Sequence, residues 1–195
     1  VRIDFDYPQN EISLTDYEDA LSGVGLVVLS DYGKGSFTKG NLPLMIAAAK
    51  AAGAKVLVDA RGYDYRKFRC ADVVKPNLHE MRELVGGWSS ENELELKAQE
   101  LRAGAAIGAV LLTRAEEGMT LYTKTGTLQI KSEAREVYDV SGAGDTAIAA
   151  LAVAMEAGMP LERAVVYANK AAGLAVARFG TTVVTRKELE EAIGH

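Results

Sequence analysis

The sequence has 195 residues but only one cysteine, Cys70. A single cysteine excludes an internal disulfide framework, and such scarcity is typical of proteins from a reducing cytosol. A lone cysteine is more often a small packed hydrophobe than a nucleophile. Cys70 is therefore not a candidate catalytic residue.

The sequence has no excess of positive charge: it contains 22 Lys and Arg and 27 Asp and Glu, which gives a net charge of -5. A broad surface for nucleic acid or an anionic membrane is therefore not expected. A bound phosphate would have to be held by local backbone and a few cations.

Long apolar runs are lacking as well. The longest, "AIAALAVAM" from Ala147, is far too short to span a bilayer. No charged stretch followed by an apolar run opens the sequence, so no signal peptide is expected. These features predict a cytoplasmic protein.

Apolar runs of strand length alternate with helical patterns along the chain. Strands are predicted at Val24–Ser30, Lys55–Ala60, Ala71–Pro76 and Gly108–Arg114, with a hairpin over Met119–Lys131. Helices are predicted at Asn41–Gly53, Leu78–Gly86, Glu91–Gly104, Gly142–Glu156, Leu161–Arg178 and Arg186–Ile193. Such alternation predicts a parallel α/β layer structure in one domain, without internal repeats.

A glycine turn, "SGAGDTA", lies between an extended segment from Glu136 and the helix that starts at Gly142. Gly142, Ala143 and Gly144 let bare N–H groups approach an anion at a helix N-terminus. Asp145 follows at once, where a base could accept the proton of an alcohol during phosphoryl transfer. Taken alone, the pattern favours a plain helix-capping acid about two to one.

Other motifs compete with or are excluded by these residues. "GAGDTA" fits the loose dinucleotide pattern G-x-G-x-x-A, but it lies late in the chain and its Asp would repel a pyrophosphate. A Walker A loop is excluded because no G-K-[ST] follows. "HEMRE" at His79 is not a zinc HExxH motif, since Glu83 holds the fifth position.

"DVSGAGDT" (Asp139–Thr146) resembles the C-terminal signature D-T-x-G-A-G-D of the ribokinase-like carbohydrate kinases, the PfkB family, with Val140 where Thr is usual. Three further stretches resemble family motifs in the same order: "KPNLHE" (Lys75–Glu80), "LLTRAEEGM" (Leu111–Met119) and "YANKAAGLAVARFGT" (Tyr167–Thr181). The resemblance implies a three-layer α/β/α, Rossmann-like fold with a mostly parallel central sheet. It also implies that residues 1–195 form the C-terminal two-thirds of a kinase domain, with the N-terminal strands and lid missing and no adenylyltransferase domain.

Within the family, "LSDYGKG" (Leu29–Gly35), "NLHE", "RFGTTVVTRKELEEA" and the opening "RIDFD" resemble the heptose 7-phosphate kinases, which supply ADP-heptose for bacterial lipopolysaccharide. In many bacteria such a kinase is the N-terminal half of a bifunctional protein with an adenylyltransferase behind it. "DARG" (Asp59–Gly62) departs from the usual D-P-K-G, and Lys75 stands where Thr is common. Fructokinase or ribokinase activity, or a non-catalytic nucleotide-binding fragment, are the alternatives.

The resemblance implies roles for matching positions around the reaction. Asp145 would be the general base, and the backbone of Gly142, Ala143 and Gly144 would form the anion hole. ATP and a sugar phosphate would be the bound small molecules, and Mg²⁺ the cofactor. The residues implied to line the nucleotide are Asn77, Leu78, His79, Glu80, Thr113, Gly118 and Asn169, with Asn77 and Glu80 also holding hydrated Mg²⁺.

Further positions are implied for the substrate and for a monovalent cation. Asp31 and Lys34 would be substrate residues, with Lys34 meeting the sugar phosphate or the nucleotide phosphates. The residues that match the loop of potassium-using members are Asp139, Ser141, Ala175 and Gly180. Missing strands would leave sheet edges open, so association as a homodimer is expected.

Read without the resemblance, several of these residues have structural interpretations. Asn77 after Pro76 is a common helix N-cap, and Glu80 its capping-box partner. Asn169 would be a polar residue on an Ala-rich helix, and Lys34 a solvated loop charge. His79 would be a surface residue.

Overall fold

The computed structural model describes residues 12–132, 139–180 and 182–193. The extended segment predicted from Glu136 to Tyr138 and the "RIDFD" motif at residues 2–6 lie outside this part of the chain. The strands are β1 (Leu26–Ser30), β2 (Lys55–Asp59), β3 (Val73–Lys75), β4 (Ala109–Thr113), β5 (Met119–Thr123) and β6 (Gly126–Ile130). The helices are α1 (Leu14–Ala20), α2 (Asn41–Ala51), α3 (Leu78–Val85), α4 (Glu91–Gly104), α5 (Ala143–Glu156), α6 (Leu161–Val176) and α7 (Arg186–Ile193).

The six described strands form one sheet in the order β1-β2-β3-β4-β5-β6. Strands β1 to β4 run parallel, and β5 and β6 complete the sheet as an antiparallel hairpin. Buried apolar residues fill β2, β3 and β4 without the alternation of a one-sided sheet, as expected for strands covered on both faces. The predicted mostly parallel sheet is confirmed.

Side chains of successive strand residues point to opposite faces and feed two separate cores. Val56 and Val58 pack in the core that includes α2, α3 and α4, whereas Leu57 between them packs in the core formed with α5 and α6. Both cores consist of fully or nearly fully buried side chains. The sheet is therefore the middle of three layers, as the sequence predicted.

Element boundaries differ from the sequence prediction where local chemistry ends the pattern. Strand β1 starts at Leu26 rather than Val24, because the Val24 N–H donates to the Leu21 carbonyl in a turn. Strand β3 stops at Lys75, since Pro76 has no N–H for the ladder. Helix α6 ends at Val176 rather than Arg178. Two short 3₁₀ turns, Tyr65–Phe68 and Ala115–Glu117, were not predicted.

The carboxyl ends of β1 to β4 meet at one edge of the sheet, which is where ligands of open α/β sheets bind. The ladder places Ser30 opposite Asp59 and Asp59 opposite Lys75. An isolated bridge pairs Asn77 with Thr113 beyond β3 and β4. In the described part of the chain, no helix is long and apolar enough to cross a membrane.

Candidate active site

The glycine turn opens α5 at this carboxyl edge. Gly142 is the N-cap residue and has φ 77°, in the left-handed region that glycine adopts without a Cβ penalty. No side chain among the described residues caps this helix end. The Ala143 N–H donates to the Val140 carbonyl at 3.3 Å. The N–H groups that follow it have no partner within the helix, so the turn presents them and a positive dipole end to the site.

Asp145 lies in the first turn of α5 with an exposed side chain. Its Oδ1 accepts a hydrogen bond of 3.0 Å from the Tyr32 hydroxyl, which reaches across from the loop after β1. Partial burial, followed by this hydrogen bond, raises the pKa of Tyr32. The phenol therefore remains protonated and donates to the carboxylate.

The loop that carries Tyr32 is held by charges at the ends of β1 and β2. The Arg61 guanidinium donates to the Tyr32 carbonyl at 2.9 Å. Asp31 accepts from the Gly33 N–H at 2.8 Å and from the Lys67 ammonium at 2.8 Å, with 6% of its side chain exposed. Asp31 therefore shapes this loop, and Lys34 lies on its exposed part.

A buried ion pair lies beneath the glycine turn. The Lys75 ammonium is 2.6 Å from Asp59 Oδ1, and only 4% of the lysine side chain is exposed. A Cβ placed on Gly144 would lie 3.4 Å from the Lys75 Nζ, so the ammonium lies in contact distance of the turn. Burial raises the pKa of Asp59, while the neighbouring Lys75 acts in the opposite direction.

The start of α3 carries the predicted capping box. Asn77 Oδ1 accepts from the Glu80 N–H at 2.9 Å, and Glu80 Oε2 accepts from the Asn77 N–H at 2.8 Å. Burial raises the pKa of Glu80, and its bond from the Asn77 N–H opposes this. The structural interpretation of both residues is therefore confirmed, and the capping box uses one of the two carboxylate oxygens of Glu80.

The residues present suit a hydrated magnesium ion rather than a protein cage. Among the described residues, no group of three or more His, Cys, Asp or Glu side chains is gathered to hold a metal. Mg²⁺ keeps several waters and commonly uses one or two carboxylates with substrate phosphates. The single carboxylate of Glu80 at the strand edge agrees with that mode of binding.

Apart from Leu78 and His79, the residues expected along the nucleotide lie in two places: around the start of α3 and around the end of β6. Thr113 ends β4 and donates its backbone N–H to the Pro76 carbonyl at 3.0 Å, beside Asn77. Gly118, with φ 93°, and Asn169 both contact the chain just after β6: a Cβ on Gly118 would overlap the Ile130 carbonyl oxygen. The buried Asn169 amide donates to the Lys131 carbonyl at 2.9 Å.

His79 of this set has its described partner elsewhere, on its own helix. Its side chain is exposed, and Nε2 lies 3.4 Å from Glu83 Oε1 one helical turn later. Leu78 packs against the core of α2, α3 and α4. Neither side chain contacts the glycine turn or Asp145 in the described hydrogen bonds and ion pairs.

Three of the four residues expected in a cation loop come together. Asp139 accepts from the Ser141 N–H at 2.8 Å and from the Gly180 N–H at 3.2 Å. These backbone donors, Ser141 first, lower the pKa of Asp139. The Ala175 carbonyl instead accepts from the Arg178 N–H at the end of α6.

Asp145 also lines a groove of about 730 Å³ whose other walls come from α5, α6, residues 182–184 and α7. Most of its lining is alanine, valine and other apolar side chains, with Asp145, Arg186 and Glu190 as the charged members. The acid therefore faces open space next to the glycine turn and is accessible to a ligand.

Sequence reasoning did not select Tyr32, Asp59 or Lys75 as site residues. Each contacts a residue far away in sequence, so spacing alone gives no motif. The available signal was position: all three lie at the carboxyl end of a predicted parallel strand, where ligand sites form.

Comparison with known proteins identifies the family. Residues 5–188 match the model of the pfkB family carbohydrate kinases. The chain is 48% identical to the bifunctional protein HldE of Shewanella sediminis over 99% of its own length and 41% of that protein. It is 44% identical to the HldE of Pseudomonas fluorescens strain Pf-5, again over 99% of this chain and 41% of the relative. The chain thus spans about two fifths of the length of these relatives.

Solved structures share the fold. Ribokinase from Arabidopsis thaliana, in complex with ribose and ATP, superposes with a TM-score of 0.82 at 24% identity, covering 95% of this chain and 60% of that one. Phosphofructokinase-2 from Escherichia coli, in complex with potassium, gives a TM-score of 0.82 at 18% identity, covering 94% and 63%. The ribokinase-like fold and the four ordered motifs agree with the family match, and the chain belongs to the pfkB family of carbohydrate kinases.

Proposed function

We propose that this chain forms the nucleotide-binding and catalytic part of an ATP-dependent kinase that phosphorylates a hydroxyl of a sugar phosphate. The observation that carries the proposal is the juxtaposition of an exposed acid, Asp145, with an uncapped glycine turn at the start of α5. The turn offers donors for a phosphoryl group, and the acid offers a base one residue later. Both lie at the ligand-binding edge of the sheet.

In the proposed reaction, Asp145 accepts the proton of the attacking hydroxyl. The hydroxyl oxygen forms a bond to the γ-phosphorus, and the bond from that phosphorus to the bridging oxygen breaks. ADP leaves with the electron pair. The N–H groups of the Gly142–Gly144 turn stabilise the charge on the transferred group.

Tyr32 orients the base in this scheme. Its hydroxyl donates to one oxygen of Asp145, which leaves the other oxygen to receive the proton. The loop contacts from Arg61 and Asp31 fix the position of the phenol.

The cofactors follow from the family and from the residues at the edge. Glu80, with Asn77, would hold hydrated Mg²⁺, which supplies charge neutralisation on the triphosphate. Thr113, Gly118 and Asn169 would line the nucleotide. The Asp139, Ser141 and Gly180 loop would bind potassium, with an increase in turnover when KCl replaces NaCl.

The substrate proposed is D-glycero-β-D-manno-heptose 7-phosphate, converted to the 1,7-bisphosphate for ADP-heptose synthesis. Relatives named bifunctional protein HldE, at 42–48% identity, support this choice over other family members, as do the "LSDYGKG" and "NLHE" stretches. A panel of heptose 7-phosphate, fructose and ribose with coupled ADP detection would decide among them. Faster turnover on fructose or ribose would overturn the heptose assignment.

The proposal also covers the domain organisation, the cellular compartment and the oligomeric state. The chain would supply the C-terminal two-thirds of the kinase domain, act in the cytoplasm and pair as a homodimer. Among the described strands, β1 is an edge of the sheet, and an open edge favours association.

Asp145→Asn tests the base directly. We expect kcat to fall by roughly 10²–10⁴-fold, because the amide cannot accept the proton, while calorimetric ATP affinity is retained. The matched control is Glu162→Gln, which alters an exposed first-turn acid of α6 and should leave turnover unchanged. Full turnover in Asp145→Asn would refute the role of Asp145.

A further inference from the structure

Lys75 is a buried cation to which neither the family motifs nor the proposed chemistry gives a role. It is the last residue of β3, and 3% of the residue is exposed. An ionised group is costly to bury unless it is paired. Its position therefore requires a specific set of neighbours.

Those neighbours come from three elements at the strand edge. Asp59 at the end of β2 lies 2.6 Å from the ammonium. Gly144 in α5 faces the ammonium, since a Cβ built on this glycine would lie 3.4 Å from Nζ. The ammonium is therefore next to both a carboxylate and the glycine turn.

Other charges face the same region. Asp145 on α5 and Arg61 after β2 act electrostatically on Asp59, and Asp59, Lys75 and Arg61 act on Glu80 on α3. Three carboxylates therefore belong to one electrostatic cluster with Lys75, and each disfavours an incoming phosphate. The Lys75 ammonium is a buried positive charge that pairs with one of them and faces Gly144 of the turn.

We propose that Lys75 is a positioning residue for the transferred phosphoryl group, adding positive potential behind the N–H groups of the Gly142–Gly144 turn. This rests on the proposed function, in which that turn receives the γ-phosphoryl. Asp59 anchors the ammonium against the turn. Without Lys75, the exposed Arg61 would be left to oppose the negative charge of Asp59, Glu80 and Asp145.

A purely structural ion pair would behave differently when both partners are removed together. Breaking a buried pair leaves one uncompensated charge and destabilises strongly, whereas replacing both members with uncharged residues is often neutral. The double variant Asp59→Asn/Lys75→Met therefore separates folding from positioning. A structural role predicts recovery of both stability and turnover, and a positioning role predicts recovery of stability alone.

The experiment compares the wild type, Lys75→Met and the double variant by thermal unfolding, steady-state kinetics and calorimetric binding of ATP and ADP. We expect the double variant to unfold close to the wild-type Tm while kcat stays about tenfold to a hundredfold lower. ATP affinity should fall by about tenfold with ADP affinity little changed, because the lost cation acts at the γ-phosphoryl position.

Lys50→Met is the matched control. Lys50 also pairs with an aspartate, Asp72, at 2.8 Å, but at the opposite end of β2 and β3. Its turnover and its ATP-to-ADP affinity ratio should match the wild type. Wild-type kcat and an unchanged affinity ratio in the double variant would overturn the proposal for Lys75.

The two proposals fail separately. A wild type that binds ATP but phosphorylates no sugar would overturn the proposed function. The ATP-to-ADP ratio of the Lys75 variants would still decide whether the lysine acts on the γ-phosphoryl position.

Discussion

Helices α3 and α5 both begin at the carboxyl edge of the sheet, but they differ in how their N-termini are capped. Helix α3 is closed by its own side chains, with Asn77 and Glu80 each accepting a backbone N–H. Helix α5 starts at a left-handed glycine, and no described side chain caps it. At α3 the Asn77 and Glu80 N–H groups are satisfied by side chains. At α5 the Ala143 N–H donates to the Val140 carbonyl at 3.3 Å, and no described side chain accepts from the N–H groups that follow.

The difference has an energetic meaning. A good N-cap contributes about 1 kcal/mol to helix stability, and α5 forgoes that contribution. A sequence that breaks a local stability rule at one place commonly does so at a functional site. The open helix end next to Asp145 is therefore where an anion is expected to accept from backbone N–H groups directly, whereas at α3 the proposed link to the triphosphate runs through Mg²⁺.

The largest effect on this contrast is expected when the variant Gly142→Ala is compared with Gly86→Ala. Gly142 starts α5 with φ 77°, and Gly86 ends α3 with φ 78°. Gly142, with ψ 0°, lies in the left-handed region, where alanine costs roughly 1–2 kcal/mol. Gly86, with ψ -175°, has a conformation essentially confined to glycine, where alanine costs roughly 1–3 kcal/mol. Only Gly142→Ala should also lower kcat, by about 10²-fold or more, because it displaces the donors of the turn.

Urea unfolding would measure the shared stability loss, and coupled ADP detection the turnover. Gly86 has no atom within 4 Å of an added Cβ, so its variant isolates the backbone strain. Similar kcat losses in the two variants would mean that the open end of α5 has no special role.

The variant Asn77→Ala tests the capped N-terminus of α3, and Ser90→Ala is its matched control. Ser90 caps α4 by accepting from the Glu93 N–H at 3.2 Å, away from the proposed site. Each variant should lose about 1 kcal/mol of unfolding free energy. Only Asn77→Ala should also raise the KM for Mg-ATP, since it loosens Glu80.

Chemical denaturation and ATP titration of the initial rate would provide both readouts. An unchanged KM in Asn77→Ala would confine that residue to its capping role.

Much of this site could be predicted from local sequence. The glycine turn, the capping box and the alternation of strands and helices are patterns of adjacent residues, and each fixed its element to within a few positions. The Lys75–Asp59 pair and the Tyr32–Asp145 bond join residues 16 and 113 positions apart, respectively. Such contacts depend on which strands are neighbours and in what register, and hydrophobic periodicity does not specify that.

The smallest effect is predicted for the pH dependence of the unfolding free energy. It concerns two glutamates that occupy the same position in their helices, the third residue after the N-cap. Burial raises the pKa of Glu80 in α3. Hydrogen bonds from Ser89, its side chain first, lower the pKa of Glu93 in α4 to about 2.

A raised folded-state pKa means that the folded chain keeps the Glu80 proton longer than the unfolded chain. The contribution of Glu80 to stability therefore falls as pH rises through the ordinary glutamate value and the folded value above it. Glu93 contributes in the opposite sense: its stabilisation is present above the ordinary value and is lost as pH falls towards about 2.

Glu80→Gln and Glu93→Gln should thus show opposite pH dependences of the difference in unfolding free energy from the wild type. Between pH 4 and 7, Glu80→Gln should become relatively more stable as pH rises, and Glu93→Gln relatively less stable. Urea unfolding at several pH values would measure both slopes. Slopes of the same sign would mean that the start of α3 is as open to solvent as that of α4. The half-buried, side-chain-capped terminus of α3 would then not differ from the uncapped terminus of α5 in the way described above.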